Sequence, residues 1–221
     1  MKFSTPVICF CGYEYPVAGY AAEKFPLSIC PKCNTPINII DPLSISVVAE
    51  RLLYRGKSEM EGGDCTLSII CSAMAVECFL TRAFLKWEGI ESLRLTGHLP
   101  TEDEENTWEK DYPKSEGFQF PADFVSNSLA GMKFDEFVAT NTNAKLIMDR
   151  FSDSVGVSAQ KYFQDTLFKK RNRILHWGNV SYDQADASFC LNAAIGIINI
   201  FKIMDRCKAD KMESDWRQAN P

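Results

Sequence analysis

Histidine is nearly absent from this chain: two residues, His98 and His176, in 221. Acid–base chemistry through an imidazole must therefore run through one of two positions, and a histidine-rich metal centre is excluded. An excess of positive charge is missing too. With 24 Lys and Arg against 29 Asp and Glu, the formal charge of −5 argues against non-specific coating of nucleic acid or of an anionic membrane. No Walker loop, dinucleotide fingerprint, HExxH pair or serine nucleophile elbow occurs, so the enzyme classes that depend on those motifs find no support.

Long apolar runs are also scarce. Met1-Lys-Phe-Ser-Thr-Pro leads straight into cysteines without the apolar core of a secretory leader. The most apolar stretch, Phe189 to Met204, is interrupted by Asn192, Asn199 and Lys202 and falls short of the roughly 20 residues that span a bilayer. The expectation is a cytoplasmic protein with no membrane segment. In that compartment nine cysteines, an odd number, read as metal ligands plus reduced core thiols and not as a disulfide framework.

What is present divides the chain in two. Residues 1–40 are rich in Pro, Tyr, Phe and Cys and lack helical periodicity. They contain Cys9-Phe-Cys11-Gly12 and, eighteen residues later, Cys30-Pro-Lys-Cys33. Two cysteine pairs at that separation have the spacing of a zinc ribbon, a small β unit in which two turns each offer two thiolates to one tetrahedral Zn²⁺. The first pair is one residue shorter than C-x-x-C, and the competing reading is an irregular arm carrying four reduced thiols. Zinc is favoured because forty residues with so few aliphatics can hardly fold without a staple. Four cysteines would close the coordination shell, so the metal would be structural.

From residue 41 to 221 the texture is mainly helical, predicting a bundle. Asp64 can cap a long helix running to about Glu88, on which Leu67, Ile70, Cys71, Met74 and Cys78 form one apolar stripe and Ala73, Val76, Leu80 and Phe84 a second. Glu77 sits inside that second stripe, where it either finds a cationic partner, Arg171 or Arg173, or emerges at the bundle edge. Residues 91–121 read as an irregular acidic insertion punctuated by Gly97, Pro100, Pro113, Gly117 and Pro121, with His98 as a loop residue. Helices are expected over 122–130, 134–151, 158–177 and about 182–212, the last being the central buried one.

The second histidine lies in Phe168-Lys-Lys-Arg-Asn-Arg-Ile-Leu-His-Trp-Gly178. On a regular helix Asn172 and His176 share a face, whereas Arg171 lies about 140° away from His176. Lys161, Lys169, Lys170, Arg171 and Arg173 against Asp165 make this a local basic patch in an acidic protein. RNA carries its own nucleophile, the 2′-hydroxyl, so it can be cleaved by proton transfers through an imidazole and by charge stabilisation through guanidinium donors to the phosphate.

The Arg-polar-x-x-x-His arrangement late in a helical chain, with a carboxylate at Glu77 on an early helix, resembles the signature of the HEPN superfamily of small α-helical domains. The resemblance implies a HEPN-like bundle behind the zinc ribbon and a metal-independent endoribonuclease of bacterial defence or toxin–antitoxin type. Arg171, His176, Asn172 and Glu77 would be its catalytic residues, and Lys169, Lys170 and Arg173 its RNA contacts. It also implies a homodimer with a composite site, because one protomer supplies a single histidine for two proton transfers, and it leaves room for an antitoxin or regulatory partner protein. Some members of that superfamily are non-catalytic, so the alternative is a binding module for a nucleotide, RNA or partner protein.

Overall fold

The computed structural model describes residues 7–8, 14–15, 46–97, 100–113, 117–151, 155–178 and 181–219, and helix dominates them. Near the N-terminus Val7–Ile8 (β1) pairs antiparallel with Glu14–Tyr15 (β2). The expected zinc ligands Cys9, Cys11, Cys30 and Cys33 lie outside the described residues, as does His98.

Helices α1 (Ser46–Glu61) and α2 (Cys65–Thr96) form the first hairpin. Asp64 caps α2 as its position suggests, Oδ1 accepting the Leu67 N–H at 2.8 Å. The two helices approach closely because Gly56 has no side chain: a Cβ there would meet the Ser68 carbonyl oxygen at 3.1 Å and Ser72 Oγ at 3.4 Å. One of the two apolar stripes expected on α2 is buried as read, with Ala73, Val76, Leu80 and Phe84 all inside. The other is corrected: Cys71 is buried, but Met74 is exposed and Leu67, Ile70 and Cys78 are only half-covered. Packing of the bundle around α2 buries the Ala73, Val76, Leu80 and Phe84 stripe and leaves Met74 at the edge.

The irregular reading of 91–121 is also corrected. α2 continues as helix to Thr96 and stops at Gly97, and α3 (Glu102–Asp111) follows. Thr101 and Glu104 form a reciprocal capping box at the start of α3, with Thr101 N–H donating to Glu104 at 2.7 Å. Gly97, Pro100 and Pro113 thus mark helix ends, where such residues belong, and do not disrupt the whole stretch. Pro121 sits in the first turn of α4 (Gln119–Ala130), where its missing N–H would have had no intrahelical acceptor.

The single helix expected over 134–151 is two, α5 (Phe134–Thr140) and α6 (Thr142–Met148). Asn141 separates them and caps α6, accepting the N–H groups of Asn143 and Ala144. The helix expected over 158–177 is likewise segmented. α7 (Ala159–Phe163) passes into a π turn at Gln164–Phe168, which becomes α8 (Lys169–Trp177), closed by Gly178 at φ +65°. That left-handed conformation suits glycine and stops α8 one residue after the indole.

Helix α9 (Gln184–Ala219) runs through the centre, as its apolar middle predicts. Ala187, Cys190, Ala193, Ala194, Ile197, Ile200, Phe201 and Met204 have no exposed surface, while Asn192, Ile195, Asn199 and Lys202 form one solvent-facing stripe. The polar interruptions are therefore the outer face of a core helix. By length and composition α2 and residues Gln184–Asp215 of α9 are apolar enough to cross a membrane, which exceeds the shorter run read from the sequence; 61% of the apolar window in each is buried against the other helices. Around α9 the interior is a cluster of phenylalanines. Phe201 stacks on Phe134 at 5.1 Å, Phe118 stacks on Phe168 at 5.2 Å, and Phe163 meets both Phe118 and Phe134 edge-on.

Candidate functional site

Phe168 and Leu167 are fully buried at the end of the π turn, and Ile174 is buried one and a half turns later. These anchors set the rotation of α8. Lys169, Asn172, Arg173, His176 and Trp177, spaced i, i+3, i+4, i+7 and i+8, fall on the opposite, outward stripe. Together with Asp165 and Lys170 they line a groove of about 430 Å³. The π turn widens the backbone spiral directly ahead of this stripe, a feature frequent at functional sites. Two side-chain contacts hold it. Gln164 Oε1 accepts the Phe118 N–H at 2.6 Å, and the buried Cys190 thiol donates to the Thr166 carbonyl at 3.4 Å. Burial pushes that thiol's pKa up to about 11, so it stays protonated and can donate.

The cations of the groove are not equivalent. Asp165 takes Lys169 at 2.5 Å and Lys161 at 2.9 Å. Hydrogen bonds from Lys169 and then from Lys161 hold its carboxyl below the usual range, so the clamp persists at neutral pH. Because the folded-state value is lowered, this contribution is present above the ordinary carboxylate pKa and is lost only as pH falls through the lowered one. Lys170 is tied to Asp186 of α9 at 2.5 Å and lies over the Tyr182 ring at 5.7 Å, which commits it to holding α8 against α9. Arg173 is exposed and has no ion-pair partner among the described residues. It is the guanidinium most available to an anionic ligand.

Arg171, expected with His176 among the catalytic residues, is turned the other way. It does not line the groove. Its side chain, only 15% exposed, turns to α2 and pairs with Glu77, resolving the choice between Arg171 and Arg173 as the partner of that carboxylate. Its Nη1 also donates to Asn172 Oδ1 at 2.8 Å, and its guanidinium lies 5.9 Å from the centre of the Phe168 ring. Burial lowers its pKa from the ordinary arginine value, which still leaves it charged because that value is so high. Glu77 pairs with Arg171 and is still 43% exposed, so both readings of it hold in part. The chain Glu77–Arg171–Asn172 thus links α2 to the floor of the groove, and within one protomer Arg171 and Glu77 position Asn172 without facing a ligand there.

Removing Glu77 strands a partly buried guanidinium. Glu77→Ala is expected to cost about 1–2 kcal/mol, and Arg171→Ala a similar amount. The double variant should recover about 0.5–1.5 kcal/mol relative to additivity, read from urea-denaturation midpoints. Strict additivity would show that the pair contributes no coupling.

Two features lay outside the sequence reading. The π turn has no local signature in Gln164–Phe168. Trp177, by contrast, had a signal: an aromatic residue on the polar stripe of a short helix, between the histidine and the terminating glycine. No family model, no curated protein and no solved structure matches this chain.

Proposed function

We propose that this protein is a HEPN-type endoribonuclease that cleaves RNA by attack of its own 2′-hydroxyl, without a catalytic metal. The observation that supports the reading best is the single stripe of α8, which collects His176, Asn172, Arg173 and Lys169 in one groove. The 2′-oxygen forms a bond to phosphorus as its proton passes to a base, and the P–O5′ bond breaks as an acid protonates the leaving oxygen. The products are a 2′,3′-cyclic phosphate and a 5′-hydroxyl. An imidazole can serve either transfer, and guanidinium and ammonium donors stabilise the charge gathering on the phosphorane. In this reading Arg173 and Lys169 contact phosphate, Asn172 orients ligand or ring, and Arg171 with Glu77 holds Asn172 in place.

Two proton transfers and one histidine per groove lead to a homodimer in which two copies of α8 face one another and share a composite site. The exposed Leu175 beside His176 gives that end of α8 apolar surface compatible with a facing partner. The reading also takes the protein to be cytoplasmic, with a role in bacterial defence or stress response. The decisive experiment is incubation of the purified full chain with mixed RNA in excess EDTA, with circular dichroism confirming that the bundle stays folded. Cyclic-phosphate ends support the proposal; no cleavage by a folded dimer on any RNA removes it.

A second reading is a non-catalytic binding module for RNA, a nucleotide or a partner protein. It is favoured by the engagement of Arg171 with Glu77, which takes that charge out of the groove. In that case anion binding depends on Arg173 and Lys169 and is indifferent to His176.

The four N-terminal cysteines are proposed to hold one structural Zn²⁺. About one zinc per chain is expected by elemental analysis, falling to near zero in a Cys30→Ser, Cys33→Ser variant whose helical circular dichroism is retained. Zinc unchanged in that variant would remove the assignment.

A further inference from the structure

We infer that Trp177 is a base-stacking platform, which makes the groove selective for a single-stranded nucleic acid over a duplex; this rests on the RNA reading above. The indole is 77% exposed at the last residue of α8, with its neighbour His176 also in solvent. Of the exposed large apolar residues among those described, Trp177 alone lines the groove. An indole left in water there does nothing for the core, since Ile174 on the other side of α8 supplies the packing.

Its surroundings specify what it would take. Arg173 is one helical turn before Trp177 on the same stripe, which sets the two Cβ atoms about 5–6 Å apart. Lys169 stands one turn further back. A phosphate on the exposed Arg173 guanidinium and the attached base on the Trp177 ring are spaced on the scale of one nucleotide. Every base has a π face, so such contact is tolerant of sequence, but in a duplex that face is already covered by its neighbours. The platform would therefore admit a strand whose bases can turn outward. Stacking one base on Trp177 also pulls the strand out of its own helical stack beside His176, which frees the ribose for in-line attack. A cationic groove without an aromatic would accept duplex phosphates as readily.

The test uses the full chain and a fluorescein-labelled, single-stranded 2′-O-methyl oligonucleotide, which has no free 2′-hydroxyl and so is bound but not cut. Affinity is read by anisotropy for the wild type and for Trp177→Ala, Trp177→Leu, Trp177→Phe and Arg173→Ala, with the matching duplex as a second ligand. Trp177→Ala and Trp177→Leu should both weaken single-strand binding about tenfold, and Trp177→Phe should restore most of it. Duplex affinity should move by less than about twofold, since its bases offer no face. Single-strand binding should also quench tryptophan emission in the wild type and do so much less in Trp177→Leu.

Undiminished single-strand binding by Trp177→Ala, with loss in Arg173→Ala, would overturn the stacking role and leave the RNA groove standing. Restoration by leucine would equally overturn it, because bulk without a π face would then suffice. A wild type that binds neither strand form would remove both the platform and the RNA reading. Dissociation of the dimer by Trp177→Ala in sedimentation, with single-strand affinity intact, would make Trp177 a contact between copies.

Discussion

RNA cleavage is expected to fall about 10²- to 10⁴-fold in His176→Ala, the range for losing a positioned acid or base, while thermal stability stays within about 0.5 kcal/mol of wild type. The separation follows from placement: His176 is exposed on the outer stripe of α8 and supports no core contact. Arg173→Ala should behave similarly, losing activity without losing stability, because its side chain has no ion-pair partner among the described residues to strand. Arg171→Ala should lose both, since its guanidinium braces α8 against Glu77 and fixes Asn172. Single-turnover cleavage and urea melts on the same three variants distinguish the roles. If Arg171→Ala reduces cleavage far beyond its loss of stability, Arg171 leaves Glu77 in the working complex and meets the phosphate itself. If His176→Ala cleaves like wild type, the catalytic reading fails and the binding module takes its place.

The largest effect on stability is expected at Phe201→Ala, about 3–5 kcal/mol. Phe201 has no exposed surface, sits in the middle of α9 and stacks on Phe134, which in turn contacts Phe118 and Phe163. Truncation empties the place where α9 meets α5 and the interleaved rings, and rings cannot collapse into the gap without losing their own partners. Against a total stability of about 5–15 kcal/mol for a typical domain, such a loss removes a large share of the margin. Chemical denaturation checks it, with exposed Leu146→Ala as the control expected to change stability by less than about 0.5 kcal/mol. A cost below about 1.5 kcal/mol at Phe201 would mean that the aromatic cluster does not organise the bundle.

Features legible in the amino-acid order were those whose cause lies within one or two helical turns. Asp64 capping α2, Gly178 ending α8 and the burial of the middle of α9 were all readable, because a cap, a left-handed stop and an apolar period are local. The difference of about 140° between the directions of Arg171 and His176 was readable for the same reason, since α8 is regular over both, but not that Arg171 turns to α2 instead of joining His176. The capping box of Thr101 and Glu104 was equally local and was hidden by the glycine and prolines around it, which looked like disorder of pattern and were helix ends. Tertiary structure alone decided the rest. Two apolar stripes on α2 competed, and only packing against the rest of the bundle determined which went inside. Glu77 had two arginines within sequence reach, and it took Arg171 because the buried Phe168 and Ile174 rotate α8 so that this side chain, and not Arg173, faces α2. The π turn lies where Phe163, Leu167 and Phe168 are all buried on one short segment, and no local propensity announces it. The sequence by itself determined the cap of α2, the stop of α8 and which polar side chains α8 carries; the packing of residues far apart in the chain determined where 134–151 and 158–177 break and which side chains of α8 line the groove.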